Sequence, residues 1–224
     1  MQQKTILTIN KEELSKLPAE QYAGKVVVIN DASEAENAIS KLYNADKIGF
    51  DTESKPSFKK GVLNKVSLIQ LSDGNCCYLF RINKTGLLPC IKNIIEDVNI
   101  RKIGLSIHDD FLNLNRLDTV NPAGFIDLQD YVKQFDIIDI SLSKIYAILF
   151  GKRISKSQRL SNWEAETLTD AQKSYASLDA SACLKIYDFL SAGKFSKDNS
   201  KYLHDYSEIF PPAEDKEETI KKTT

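Results

Sequence analysis

Histidine and cysteine are scarce in this sequence of 224 residues, which contains two His and four Cys. No two cysteines have Cys-x-x-Cys spacing, so a zinc site of the cysteine and histidine type is poorly supplied with ligands. Any bound metal would have to be held by carboxylates. Cys76 and Cys77 are adjacent in a strand-like segment, so their side chains point to opposite faces. We therefore expect reduced thiols that pack as small apolar side chains.

Glycine and proline are also infrequent, at nine and six residues, and apolar stretches such as 25–30 and 145–150 are short. This composition excludes collagen-like, low-complexity and disulfide-scaffold proteins. A membrane-spanning helix needs about 20 apolar residues, so none is predicted. The N-terminal segment reaches the charged residues 11–13 without the apolar core of a secretory signal, and we expect a cytoplasmic protein. With 42% hydrophobic residues, the chain can bury the core of one large domain.

Strand-like and helix-like segments alternate over most of the chain. Apolar and β-branched runs predict strands at 26–29, 47–53, 66–72, 76–82, 102–106 and 124–126. Helical spacing of apolar residues predicts helices at 33–43, 87–96, 110–117, 130–135, 141–150 and 168–192. Residues 73–75 form a hairpin turn between two antiparallel strands. Hairpin strands followed by alternating strands and helices indicate an α/β fold with a mixed sheet flanked by helices.

The first candidate site is a pair of acids at the end of an apolar strand. Asp51 and Glu53 are two residues apart, so both carboxylates lie on one face of that strand. Two like charges at this spacing raise each other's pKa or bind a cation, and oxygen ligands favour Mg²⁺ or Mn²⁺. Taken alone, the pair is also consistent with a strand that ends in solvated acids.

Two further segments carry acids at defined places. Asp109 and Asp110 lie where a predicted strand turns into a helix. An acid there is a candidate ligand, but it is also explained by a role as N-cap or partner of the helix dipole. Tyr175 and Asp179 have the i, i+4 spacing that places a phenol and a carboxylate on one helix face. A helical Tyr is usually a core residue, so each segment alone is weak evidence for a site.

Taken in order, the three segments resemble the three exonuclease motifs of the DEDD superfamily. The third motif, with a Tyr four residues before Asp179, resembles that of the DEDDy branch, which includes ribonuclease D and the Werner-type exonuclease domain. A His at this position would have indicated the DEDDh branch. Further matching stretches are 66–71, 160–163, 168–169, Gln172 and 175–180. The resemblance covers about residues 25 to 192 and implies a ribonuclease H-like fold.

The resemblance also implies a function. It predicts a metal-dependent 3′-to-5′ exonuclease that hydrolyses phosphodiester bonds of DNA or RNA from the 3′ end, with two divalent cations, Mg²⁺ or Mn²⁺. The implied ligands and catalytic residues are Asp51, Glu53, Asp110 and Asp179, with Tyr175 orienting the attacking water. Glu53 could in addition bind the terminal 3′ hydroxyl. Asp109 stays open as an alternative to Asp110, although the family's spacing favours Asp110.

A polyanionic substrate requires a local positive surface, because the chain has a formal net charge of only −1. Two basic runs without acids lie after the first motif and before the third. We predict substrate-binding roles for Phe58, which would stack on a base, and for Lys59, Lys60, Lys152, Arg153, Lys156 and Arg159. The same cations could instead be solvated loop residues. Trp163 is predicted to lie in the core.

The predicted organisation has three parts: an N-terminal extension at 1–24 that packs on the domain, the exonuclease domain at 25–195, and a C-terminal extension at 196–224 with a disordered tail. Two other functions stay open. The same fold could bind nucleic-acid ends or a protein without cutting, or the acids could hydrolyse small nucleotides. The choice between DNA and RNA is open as well.

Overall fold

The computed structural model describes residues 4–57, 59, 61 and 64–211. Its strands are β1 (Thr5–Leu7), β2 (Lys25–Ile29), β3 (Lys47–Ser54), β4 (Val66–Ser72), β5 (Cys76–Phe80), β6 (Arg101–Gly104), β7 (Phe125–Asp127) and β8 (Leu203–Asp205). Six of them form a sheet in the order β2-β5-β4-β3-β6-β7. The central strands β3, β4 and β5 pair antiparallel, whereas β2, β6 and β7 are parallel to their neighbours. This mixed sheet confirms the predicted strand pairing.

The helices are α1 (Lys11–Lys16), α2 (Ala32–Leu42), α3 (Ile82–Thr85), α4 (Pro89–Glu96), α5 (Ile107–Leu114), α6 (Leu128–Tyr131), α7 (Leu142–Phe150), α8 (Asp170–Ser191) and α9 (Tyr206–Ile209). Short 3-10 helices lie at Val132–Phe135 and Lys197–Asn199. Apolar residues of α2, α4 and α5 cover one face of the sheet, and those of α7 and α8 cover the other. The predicted α/β class, with helices on a mixed sheet, is therefore confirmed. In the part of the chain that the structure describes, no helix is long and apolar enough to span a bilayer.

Predicted helix ends differ from the observed ones by up to three residues, and hydrogen bonds explain two of the shifted starts. The helix predicted at 110–117 is α5, which begins three residues earlier because the Asp127 carboxylate accepts the backbone N–H of Ser106 at 3.0 Å and of Ile107 at 3.1 Å. The helix predicted at 130–135 begins at Leu128, where Asp127 accepts the N–H of Gln129. Asp127 thus fixes both segments.

The two terminal segments pair with each other. β1 and β8 form a two-stranded antiparallel sheet, and Leu7 and Ile9 are fully buried against apolar residues of α7 and α8. β8 was not predicted, because only its pairing with β1 defines it. The proposed domain boundaries stay predictions. From residue 212 onwards, the tail that was predicted to be disordered lies outside the described residues.

One glycine allows α8 to approach the sheet closely. A Cβ atom at Gly49 of β3 would lie 1.9 Å from the carbonyl oxygen of Ala180, which no packed structure tolerates. Gly49 and Asp51 share a face of β3 because they are two residues apart. The close approach therefore brings the middle of α8 to the face that carries Asp51.

Replacing Gly49 by Ala should force β3 and α8 apart. Overpacking of a tight interface costs about 1–3 kcal/mol, and we expect a loss near the upper end in urea unfolding. Gly151→Ala is the control, because Gly151 has a φ of +66° but no atom near its added Cβ, so only backbone strain of about 1 kcal/mol is expected. Equal losses in the two variants would show that the contact with α8 is not the cause.

Candidate active site

Three carboxylates meet between β3 and α8. Asp51 and Glu53 lie on the face of β3 that α8 covers, and Asp179 projects from α8 toward them. One oxygen of each carboxylate lies within 4.8 Å of the oxygens of the other two. Glu53 is 9% exposed and Asp179 is 7% exposed, so the group is largely withdrawn from water. These oxygen donors at this spacing fit a divalent cation of the Mg²⁺ or Mn²⁺ type.

The three acids have strongly raised pKa values. Burial is the largest cause for each of them. The charges of Asp179, Asp110 and Glu53 raise the pKa of Asp51 further, and the pKa of Glu53 is raised to about 9 by burial, Asp179 and Asp110. Burial raises the pKa of Asp179 to about 7. The protein's own groups therefore do not balance the charge of these acids in their ionised form, and a bound cation would do so.

Asp110 lies at the edge of this group. It accepts a short hydrogen bond from the Thr52 hydroxyl, and Thr52 lies between Asp51 and Glu53 on β3. Its charge raises the pKa of both of these neighbours, and burial raises its own pKa to about 7. Asp109, by contrast, is exposed. The geometry therefore favours Asp110 over Asp109 as the second-motif acid.

The turn between β6 and α5 holds Asp110 in place. Ser106 has left-handed backbone angles, φ +60° and ψ +39°, which are uncommon for a residue other than glycine. The Asp127 carboxylate binds the N–H groups that this turn exposes and so replaces a side-chain N-cap. Thr52 and Asp127 carry no signal in the sequence, because both act through contacts between separate elements.

Tyr175 contacts the cluster through its hydroxyl, which donates a hydrogen bond to the Asp179 carboxylate. Burial and the charge of Asp179 raise the pKa of this phenol far above neutrality. Tyr175 is thus a hydrogen-bond donor at neutral pH. Its ring packs 6.1 Å from the ring of Trp163, which is fully buried, as predicted.

Two predicted cations lie beside the acids. The charge of Lys156 lowers the pKa of Asp179, and the charge of Arg159 lowers the pKa of Glu53. Both side chains are exposed and come from the loop between α7 and α8. They place positive charge at the opening of an acidic site.

The other predicted cations differ in position. Lys152 forms an ion pair with Glu20 at 2.9 Å, and the Arg153 guanidinium donates to the Leu17 carbonyl at 3.1 Å. These two side chains therefore bind the N-terminal segment, a contact that their basic sequence pattern did not predict. Lys59 is exposed after β3, whereas Phe58 and Lys60 lie outside the described residues.

Comparisons with known proteins agree with this geometry. A family model described as 3′-5′ exonuclease matches residues 26–192. The chain belongs to the 3′-5′ exonuclease family. It is 33% identical over 198 residues to the mouse bifunctional 3′-5′ exonuclease/ATP-dependent helicase WRN, a match that covers 84% of this chain. The chain spans only 14% of the length of that relative.

Solved exonuclease structures share the fold. The Nibbler EXO domain of Aedes aegypti has a TM-score of 0.68 and 25% sequence identity, and the match covers 78% of this chain and 92% of that one. Escherichia coli RNase D has the same TM-score at 21% identity, with 75% and 44% of the two chains covered. The ribonuclease H-like fold and the family resemblance predicted from the motifs are thereby confirmed.

The raised pKa of Glu53 in this exonuclease domain predicts a stability that falls with pH when cations are removed. Its pKa is about 9 in the fold against an ordinary 4.5, so the folded chain binds a proton that the unfolded chain releases. The resulting stability is fully present below pH about 4.5 and is lost as the pH rises to about 9. In EDTA at pH 8, Glu53→Gln should raise the free energy of unfolding by about 1–3 kcal/mol, the value of one to two pKa units.

Urea unfolding of both proteins in EDTA at pH 5 and pH 8 measures this effect. Glu12→Gln is a matched control, because Glu12 forms an exposed ion pair with Lys16 that is worth at most about 1 kcal/mol. A wild-type stability that is the same at both pH values would contradict the prediction.

Proposed function

We propose that this protein is a metal-dependent 3′-5′ exonuclease of the DEDDy type that removes nucleotides from the 3′ ends of DNA or RNA. One observation carries the proposal: Asp51, Glu53 and Asp179 converge within 4.8 Å beside the Tyr175 hydroxyl, in a chain of the 3′-5′ exonuclease family. The i, i+4 pair of Tyr175 and Asp179 supports the DEDDy assignment.

The acids would hold two divalent cations, Mg²⁺ or Mn²⁺. Asp51, Glu53 and Asp179 form the tight group, and Asp110 lies close enough to influence the pKa of two of them. Bound there, such cations supply Lewis-acid chemistry that lowers the pKa of the attacking water and neutralises the departing oxygen. Carboxylates must lose their protons to ligate a cation, so metal affinity should increase with pH.

Tyr175 orients rather than deprotonates the attacking water. Because its phenol keeps its proton at neutral pH, it cannot serve as a general base. Its hydroxyl can donate one hydrogen bond and accept another, and Asp179 accepts the donated one. The free lone pairs of the Tyr175 oxygen can therefore fix the direction of a neighbouring water. Glu53 lies on the same face of β3 as Asp51, and we assign it to binding of the terminal 3′ hydroxyl.

Lys156 and Arg159 bind the substrate backbone. The positive charges of both side chains lower the pKa values of acids in the cluster, and both side chains project from an exposed loop. An entering phosphate would therefore lie between them and the acids. Lys59, which follows the end of β3 that carries Glu53, is a further candidate. Lys152 and Arg153 are weaker candidates, because they already contact Glu20 and the Leu17 carbonyl.

The nucleic acid itself is the open part of the proposal. The mouse relative is a bifunctional exonuclease and helicase, whereas Trypanosoma brucei RNase D, a fold relative at 21% identity, has been solved in complex with RNA U12. Both DNA and RNA therefore belong in the assay. A cytoplasmic location stays a prediction of the sequence.

The test is a time course on 3′-labelled and 5′-labelled single strands and 3′-tailed duplexes of DNA and RNA, with Mg²⁺, Mn²⁺ or EDTA. We expect a ladder that shortens from the 3′ end in the presence of cations only. Asp51→Ala should abolish it, because a ligand is lost. Tyr175→Phe should slow it about 10²-fold, with Mn²⁺ affinity nearly unchanged.

Two results would contradict the proposal. Binding of 3′ ends without release of mononucleotides would identify a non-catalytic binding module. Rates that do not depend on chain length, with dinucleotides cut as fast as long strands, would identify a hydrolase of small nucleotides. Asp109→Ala is the matched control for Asp110→Ala, and only the latter should lose activity.

Removing Lys156 or Arg159 should weaken substrate binding. Each Ala variant loses one phosphate contact, so we expect KM to rise about 3–10-fold and the dependence of binding on salt to decrease. Kinetics at 50 and 200 mM salt measure both effects. Lys133→Ala is the control, because Lys133 pairs with Asp130 on an exposed 3-10 helix. The assignment fails if Lys133→Ala weakens binding as much.

A further inference from the structure

A buried amide lies next to the acid cluster. Gln70 of β4 is directly opposite Asp51 of β3 in the antiparallel pair. Directly opposed residues point to the same face of a sheet, with Cβ atoms about 4.5–5.5 Å apart. Ser72, two residues further along β4, bonds Ser181 of α8 at 2.8 Å, so this face is the one that α8 covers. Gln70 therefore lies under α8, within reach of the Asp51 carboxylate.

Gln70 is fully buried, and among the residues that the structure describes neither its Nε2 nor its Oε1 has a hydrogen-bond partner. Most buried polar side chains in proteins are paired, since an unpaired buried amide is unfavourable. Its other neighbour across the sheet is Leu79, which offers no side-chain partner. The Asp51 carboxylate, directly opposite on this face, can accept a hydrogen bond from the amide.

We propose that Gln70 is a positioning residue for Asp51, whose carboxylate receives a hydrogen bond from the Gln70 amide N–H when a divalent cation binds. The inference rests on the proposed metal site. A carboxylate that ligates a cation through one oxygen keeps a lone pair on the other, and a donor there fixes its orientation. The Gln70 amide is a neutral donor, so it can be buried beside a carboxylate without adding charge.

The proposed role accounts for the burial of the Gln70 amide. A residue needed only to fill the space would be apolar, because Leu68 and Leu79, which lie beside Gln70 on this face, are apolar and fully buried. Gln70 instead keeps a polar group where the fold supplies no partner. A structural role and a positioning role therefore make opposite predictions for an apolar replacement.

Gln70→Met retains the length of the side chain and removes its polar atoms. We expect its thermal stability in EDTA to equal or exceed that of the wild type, because an unpaired buried amide is lost. Its dissociation constant for Mn²⁺, measured by calorimetric titration of the full chain, should rise 10–100-fold, the effect typical of a lost partner of a metal ligand. Gln70→Leu serves as a second apolar variant.

Tyr202→Phe is the matched control. The Tyr202 hydroxyl is also buried without a partner, but it lies in the apolar cluster beneath β1, away from the acids. Its removal should leave Mn²⁺ affinity unchanged.

Three outcomes overturn the inference. The first is Mn²⁺ affinity within twofold of wild type in Gln70→Met. The second is a loss of affinity accompanied by lower stability in EDTA, and the third is failure of both apolar variants to fold, since the last two indicate a structural amide. If the wild type itself binds no Mn²⁺, the proposed function fails, and that result is distinct from a Gln70 variant that binds as the wild type does.

Discussion

The burial of neighbouring carboxylates is the constraint on which the rest of this structure depends. Asp51, Glu53 and Asp179 are held together although each would be more stable in water, and burial is the largest cause of every raised pKa among them. The fold opposes this cost with the apolar surfaces of a six-stranded sheet and of α8. Partial compensation comes from hydroxyl donors on Tyr175 and Thr52 and from two loop cations. None of these groups supplies a full opposite charge inside the cluster.

The backbone brings the acids together through three separate constraints. The pleat of β3 puts Asp51 and Glu53 on one face, and the absence of a side chain at Gly49 lets α8 lie on that face. The left-handed turn at Ser106, held by Asp127, directs α5 so that Asp110 reaches Thr52. Each constraint belongs to a different pair of elements. The site therefore forms only when the sheet, α5 and α8 are all in place.

The parts of the site that are local in sequence could be predicted, and the parts that need tertiary contacts could not. Strand and helix periodicity alone relates Asp51 to Glu53 and Tyr175 to Asp179. The partners Thr52, Asp127 and Gln70 depend on strand pairing and on a turn, which leave no periodic signal in the chain. Lys152 and Lys156 belong to one basic run, yet only contacts with Glu20 show that the first binds the N-terminal segment. The short strand β8 was missed for the same reason, since only pairing with β1 defines it.

The same acids are a cost to the folded chain and the source of its chemistry. A protein keeps an unfavourable cluster of like charges only where a bound group compensates it, because an apolar or paired arrangement would otherwise be more stable. The unpaired amide of Gln70 beside Asp51 is a second, electrically neutral cost at the same place. A bound cation, as proposed, would account for both, because it would balance the carboxylates and fix Asp51 as an acceptor for the amide. The cluster of buried carboxylates and the unpaired amide would thus have one explanation. Repulsion among the carboxylates would not explain the amide.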